Sequence, residues 1–121
     1  MDVTEEQILA LVRQFYGSAR ADANLGPIFA TVVADWDAHM VTVASFWSHV
    51  LLGTARYKGH PFPVHRTLPI EPDHFDQWLV MFEAAADSRL PPAAAEKAKA
   101  KAAHMAASFR AGLFPYIAAT R

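Results

Sequence analysis

Apolar side chains recur at helical spacing along most of the chain, and capping residues punctuate them. In "TEEQILALVRQFYGSARAD", Thr4 stands as an N-cap with Gln7 three residues on, a capping box. Ile8, Leu9, Leu11, Val12, Phe15, Tyr16 and Ala19 then form one stripe, with Tyr16 pointing inward. "NLGP" reads as a break before a short apolar helix, "IFATVVA". Asp35 is placed to cap a third helix, "WDAHMVTVASFWSHVLL", which Gly53 ends. His39, Val43, Phe46, Trp47 and Val50 make a continuous stripe along it.

Gly59, Pro61 and Pro63 stop helical propagation in "TARYKGHPFPVH". Pro72 suits the first turn of a new helix, whose apolar stripe is Phe75, Trp78, Leu79 and Phe82. "SRLPP" breaks that helix. Pro92 opens a long alanine-rich one running to about Ala118, with Pro115 shortening its end. Lys97, Lys99 and Lys101 are its expected solvated side, and Met105, Phe109 and Leu113 its expected core. No segment alternates like a strand. The fold class is all-α.

Composition narrows the function. At 121 residues the chain is expected to be one domain, 1–121. A net charge of -1 argues against a nucleic-acid partner. No run approaches a membrane span, and "MDVTEEQ" lacks a signal-peptide pattern, so a cytoplasmic protein without a membrane partner is expected. The absence of cysteine removes disulfides, thiolate ligands, a nucleophilic thiol and covalent haem attachment through C-x-x-C-H.

Polar groups on apolar faces carry the candidate chemistry. Tyr16, His39 and Trp78 bring a phenol, an imidazole and an indole N–H to the inward stripes of three helices. A backbone partner inside an ordinary core would satisfy each one, yet three on converging helices point to a lined pocket. The six histidines have no zinc-site spacing, and the serines Ser45, Ser48 and Ser108 stand within helices without a nucleophile elbow. Haem asks less of a chain: one neutral imidazole can ligate its iron, and an apolar slot can hold the ring. His65, on a short stiff segment with Val64 and Leu68, suits that role better than His74 in a helix's first turn.

The blocks "FYGSARADANLGPIF", "WDAHMVTVASFWSHVLLG", "YKGHPFPVHRTLPI" and "HFDQWLVMF" together resemble the truncated haemoglobins, specifically the third, bacterial group. The resemblance runs in order over nearly the whole chain and leaves only the final helix weakly marked. It implies a shortened globin fold, a two-over-two helical sandwich around non-covalent haem b (iron protoporphyrin IX). On the matching positions, His65 corresponds to the proximal iron ligand, with Leu68, Ile70 and the Trp78-Leu79 pair at the family's intervals after it. Tyr16, His39 and Trp78 correspond to the distal, ligand-facing positions. Phe29, Val43, Phe46, Trp47 and Phe82 join His65, Leu68 and Ile70 as the expected haem contacts. Tyr57, Lys58 and Arg66 flank the region where propionate partners belong, and none is assigned.

The resemblance implies reversible binding of oxygen or another diatomic ligand at a five-coordinate haem iron, a role in oxygen transport and a reductase as partner, and hydrogen bonds from Tyr16 and Trp78 to that ligand are expected to slow its release. Peroxidase-like or nitric-oxide-detoxifying activity is the alternative, and a haem-free helical interaction module the remote one. Whether His39 gates the pocket, donates to the ligand or binds iron stays open, as does the oligomeric state.

Overall fold

A computed structural model of the chain describes residues 3–57 and 72–113. His60, His65, Arg66, Leu68, Ile70 and Pro115 lie outside them, as do Gly59, Lys58 and the side chains of Phe109 and Leu113. The described residues form α1 (Glu5–Ala21), α2 (Leu25–Val32), α3 (Trp36–Leu52), α4 (Pro72–Arg89) and α5 (Pro92–Leu113). No strand occurs among them. None of these helices is long and apolar enough to cross a membrane.

Local chemistry explains the ends. The Thr4 hydroxyl accepts from the Gln7 N–H at 3.1 Å while the Gln7 side chain accepts from the Thr4 N–H at 2.9 Å, closing the capping box. Asp35 caps α3 by accepting from the Ala38 N–H at 3.1 Å. Gly53 ends α3 with φ +73°, a left-handed conformation that favours glycine. Pro72 and Pro92 each occupy the first residue of their helix.

The turn after α1 departs from expectation. The helix α2 starts at Leu25, so "LGP" lies inside its first turn rather than in a break. Proline is tolerated there because first-turn N–H groups have no intrahelical acceptor. The Asp22 carboxylate accepts from the N–H groups of Asn24 and Leu25, both at 2.8 Å, and closes the turn. A Cβ on Gly26 would stand 2.6 Å from the Arg20 carbonyl oxygen, so only glycine lets α2 press this closely on the end of α1.

Helices α1 and α3 form one layer and α4 and α5 the other, with α1 against α4, α3 against α5 and α2 beside α1. This is the two-over-two helical sandwich that the resemblance implies. The face of α3 that seals the core is Ala44, Trp47, Ser48 and Leu51. Val43, Phe46 and Val50 stand beside that face, half-buried. The buried face of α5 is built from Ala94, Ala95, Ala98, Ala102 and Ala106, with Met105 half-buried at its margin. Lys99 leaves the solvated row and bridges Asp87 at 2.9 Å and Glu96 at 3.0 Å, joining α5 to α4. Those bonds, the one to Asp87 foremost, raise its ionisation.

A polar clasp fixes the chain leaving α3. The buried Ser48 hydroxyl donates to Glu5 at 2.9 Å and meets the Thr54 hydroxyl at 2.7 Å. Arg56 donates to the other Glu5 oxygen at 2.8 Å, and Nδ1 of His49 lies 2.9 Å from the Thr54 carbonyl.

Candidate functional site

The site begins with two adjacent residues of α1. Phe15 and Tyr16 follow Leu11 and Val12 by one turn, so the helix turns both rings inward. Tyr16 is then enclosed edge-on by Phe15 at 4.9 Å, Phe29 of α2 at 5.4 Å, and Trp36 and His39 of α3 at 5.4 and 5.1 Å between ring centroids. These T-shaped contacts set the positive edge of one ring on the negative face of another. The phenol oxygen lies 2.9 Å from Nε2 of His39, a hydrogen bond between residues 23 apart in the chain. Burial pushes the Tyr16 ionisation far above its ordinary value, so the group remains a neutral hydroxyl.

Beside this pair lies a second aromatic assembly. Phe82 is stacked between Trp47 at 4.6 Å and Trp78 at 5.5 Å, with Phe15 edge-on to both Phe82 and Trp78. Phe15 therefore connects the Tyr16 cage to the tryptophan stack. Trp47 and Phe82 are sealed in the core, whereas Trp78 is half-buried. No hydrogen bond joins the Trp78 indole to another described residue. Phe46 packs edge-on against Trp47 and Tyr57, each at 5.2 Å, and burial raises the Tyr57 ionisation.

The structure thus joins Tyr16, His39 and Phe29 in one cage and Trp78, Trp47 and Phe82 in the adjoining stack. Val43 and Phe46 stand on the half-open face of α3, one and two turns beyond His39. His65, Leu68 and Ile70 lie outside the described residues. His74 is half-buried, and His49 and His104 are exposed.

Two residues of the cage were not singled out by the sequence stripes. Trp36 is the first residue of α3, and its ring contacts Tyr16, Phe29 and His39. The Arg20 guanidinium lies over that ring, 4.2 Å from its centroid. The available signal was register: Arg20 follows Tyr16 by four residues, and Trp36 precedes His39 by three.

Chemically, the described residues offer apolar and aromatic side chains left half-open on α3 and α4, with one buried hydroxyl and one imidazole at their edge. Such a face suits a flat, largely apolar macrocycle with a polar ligand beside it, and so fits a haem. Among the described residues, no group of three or more metal-ligating side chains converges.

The chain is similar to known proteins over most of its length. The family model for bacterial-like globins matches residues 4–111. The chain is 36% identical over 86 residues to the group 3 truncated hemoglobin ctb of Campylobacter jejuni, covering 67% of this chain and 68% of that one. Its fold is similar to the crystal structure of the group III truncated hemoglobin from Campylobacter jejuni, with a TM-score of 0.87 and 30% identity over 93% of each chain.

Proposed function

The chain belongs to the bacterial-like globin family, as a truncated haemoglobin of the third group, and from that premise we propose that it holds haem b non-covalently and binds oxygen or another diatomic ligand with slow release. In this reading His65 would hold the haem iron through its imidazole. Phe29, Val43, Phe46, Leu68 and Ile70 contact the macrocycle, with the Trp47–Phe82–Trp78 stack backing the slot. When bound, haem supplies an iron centre at which a diatomic ligand attaches reversibly.

The observation that carries the reading is the half-buried Tyr16–His39 hydrogen bond, 2.9 Å long and bordered by rings. Because burial keeps the phenol neutral, it has one proton to place. With Nε2 unprotonated, the phenol donates to the imidazole. With Nε2 protonated, the imidazole donates to the phenol oxygen, and the O–H is released toward the pocket. An electron-rich ligand there accepts that hydrogen bond, and the Trp78 indole N–H is a second donor on the adjoining stack. The surrounding rings exclude water, which strengthens both bonds. Hydrogen bonds to charged partners contribute about 1.5–3 kcal/mol each, and about 1.4 kcal/mol is a factor of ten.

Stopped-flow oxygen release tests this directly. Tyr16→Phe is expected to release oxygen roughly ten to a hundred times faster, and Trp78→Phe to add a smaller acceleration. If both variants release oxygen at the parent rate, the reading is wrong.

The same pair supports a second reading. A half-exposed imidazole bonded to a buried phenol can pass a proton inward from solvent, which peroxidase-like or nitric-oxide-consuming turnover requires. Sustained turnover with peroxide or nitric oxide, lost in His39→Gln, would favour it over simple ligand carriage.

A further inference from the structure

Trp36 touches every ring of the Tyr16 cage except Phe15, lying against Tyr16 at 5.4 Å, His39 at 5.8 Å and Phe29 at 6.1 Å. It does so from the first turn of α3, where the Asp35 cap and the bond from the His39 N–H to the Asp35 carbonyl, 3.0 Å, fix the backbone carrying both Trp36 and His39. Its outer face is covered by the Arg20 guanidinium at 4.2 Å, well within cation–π reach. Arg20 lies one turn beyond Tyr16 on α1, so a single helical face supplies both the phenol and the cation. Gly26 lets α2 close on the Arg20 backbone, which brings Phe29 to the far side of the phenol.

We infer that Trp36, clamped by Arg20, is a positioning residue that holds the His39 imidazole on the Tyr16 hydroxyl. The geometry separates its task from that of its neighbours. His39 is half-buried, at the boundary between core and solvent. The Trp36 ring stands edge-on to the imidazole and packs against it while its Nε2 meets the phenol. Arg20 in turn keeps the indole from swinging out, because leaving costs it the cation–π contact. The inference rests on the reading of Tyr16 and His39 as ligand-side groups, yet the contact it concerns is measurable without any ligand-release experiment.

The test is nuclear magnetic resonance of the full chain with 15N-labelled histidine, the ferrous protein held diamagnetic under carbon monoxide, with His39 identified by loss of its signals in His39→Gln. The parent is expected to show Overhauser cross-peaks between the His39 and Tyr16 rings, and imidazole nitrogen shifts distinct from those of exposed His104. Trp36→Leu is expected to lose those cross-peaks and move the His39 shifts toward the His104 values. Trp36→Phe is expected to retain both, and Arg20→Met to weaken the cross-peaks while Arg20→Lys restores them. Unchanged His39 signals in Trp36→Leu overturn the inference. If that variant fails to fold, unchanged signals in Arg20→Met overturn it instead. A variant that loses thermal stability while its His39 signals stay in place also counts against it. Unaltered oxygen release in Tyr16→Phe would remove the ligand-binding proposal and leave these spectra as they are.

Discussion

Burial inside an aromatic cage raises the ionisation of the Tyr16 phenol, and that shift has a pH signature. An unfolded tyrosine ionises at about pH 10. Above that value the folded chain keeps the Tyr16 proton while the unfolded chain releases it, so rising pH favours unfolding. Below about pH 10 both states hold the proton and the contribution to stability is fully present. Urea unfolding at about pH 8 and about pH 11 is expected to show the parent losing more stability than Tyr16→Phe. Equal losses would mean that the phenol is solvated in the folded state. At this scale the sequence was readable where periodicity spoke: Tyr16 and His39 stand on apolar stripes, and both enter the cage. Trp36 was marked only by its register three residues before His39; its contacts with Tyr16 and Phe29 come from other helices, and no single-helix pattern reports them.

Helix ends were largely legible because their signals are covalent and local. The Thr4 capping box, Asp35 cap, left-handed Gly53 and leading prolines Pro72 and Pro92 all perform the tasks their side chains suggest. The start of α2 was not, since "LGP" punctuates many loops and only the closing Asp22 carboxylate makes it a first turn. The same element holds the described glycine at which an added Cβ would meet the closest contact. Gly26→Ala would drive a methyl group into the Arg20 carbonyl, and backbone cannot rotate away as a side chain can. Overpacking of this kind typically costs about 1–3 kcal/mol. Thermal unfolding is expected to register that loss, while Gly17→Ala, where a Cβ meets nothing within 4 Å, is expected to show none of it. Equal behaviour of the two variants would mean that α2 can retreat from α1 without cost.

For the whole molecule, the order of helices followed from hydrophobic period and their two-over-two pairing from the family resemblance, but the manner of packing followed from neither. Alanine carries too little hydrophobic contrast to mark a face, so Met105, Phe109 and Leu113 drew attention while Ala94, Ala98, Ala102 and Ala106 form the seam. Small side chains there bring α5 close to α4 and α3, and the ion pairs of Lys99 fasten the edge. Ala98→Leu is expected to destabilise by about 1–3 kcal/mol through overpacking, whereas Ala100→Leu, on the exposed side, is expected to be near neutral. Comparable midpoints in urea for both would contradict the close seam. The sandwich so built leaves Val43, Phe46 and Trp78 half-open beside a sealed ring stack, which is where the account places haem. Titration of purified protein with haemin, followed by absorption, tests that placement most directly. Stoichiometric uptake with a sharp Soret band is expected, lost or strongly shifted in His65→Ala and retained in His74→Ala. A parent chain that takes up no haemin, or a His65→Ala variant whose spectrum matches the parent's, would contradict it.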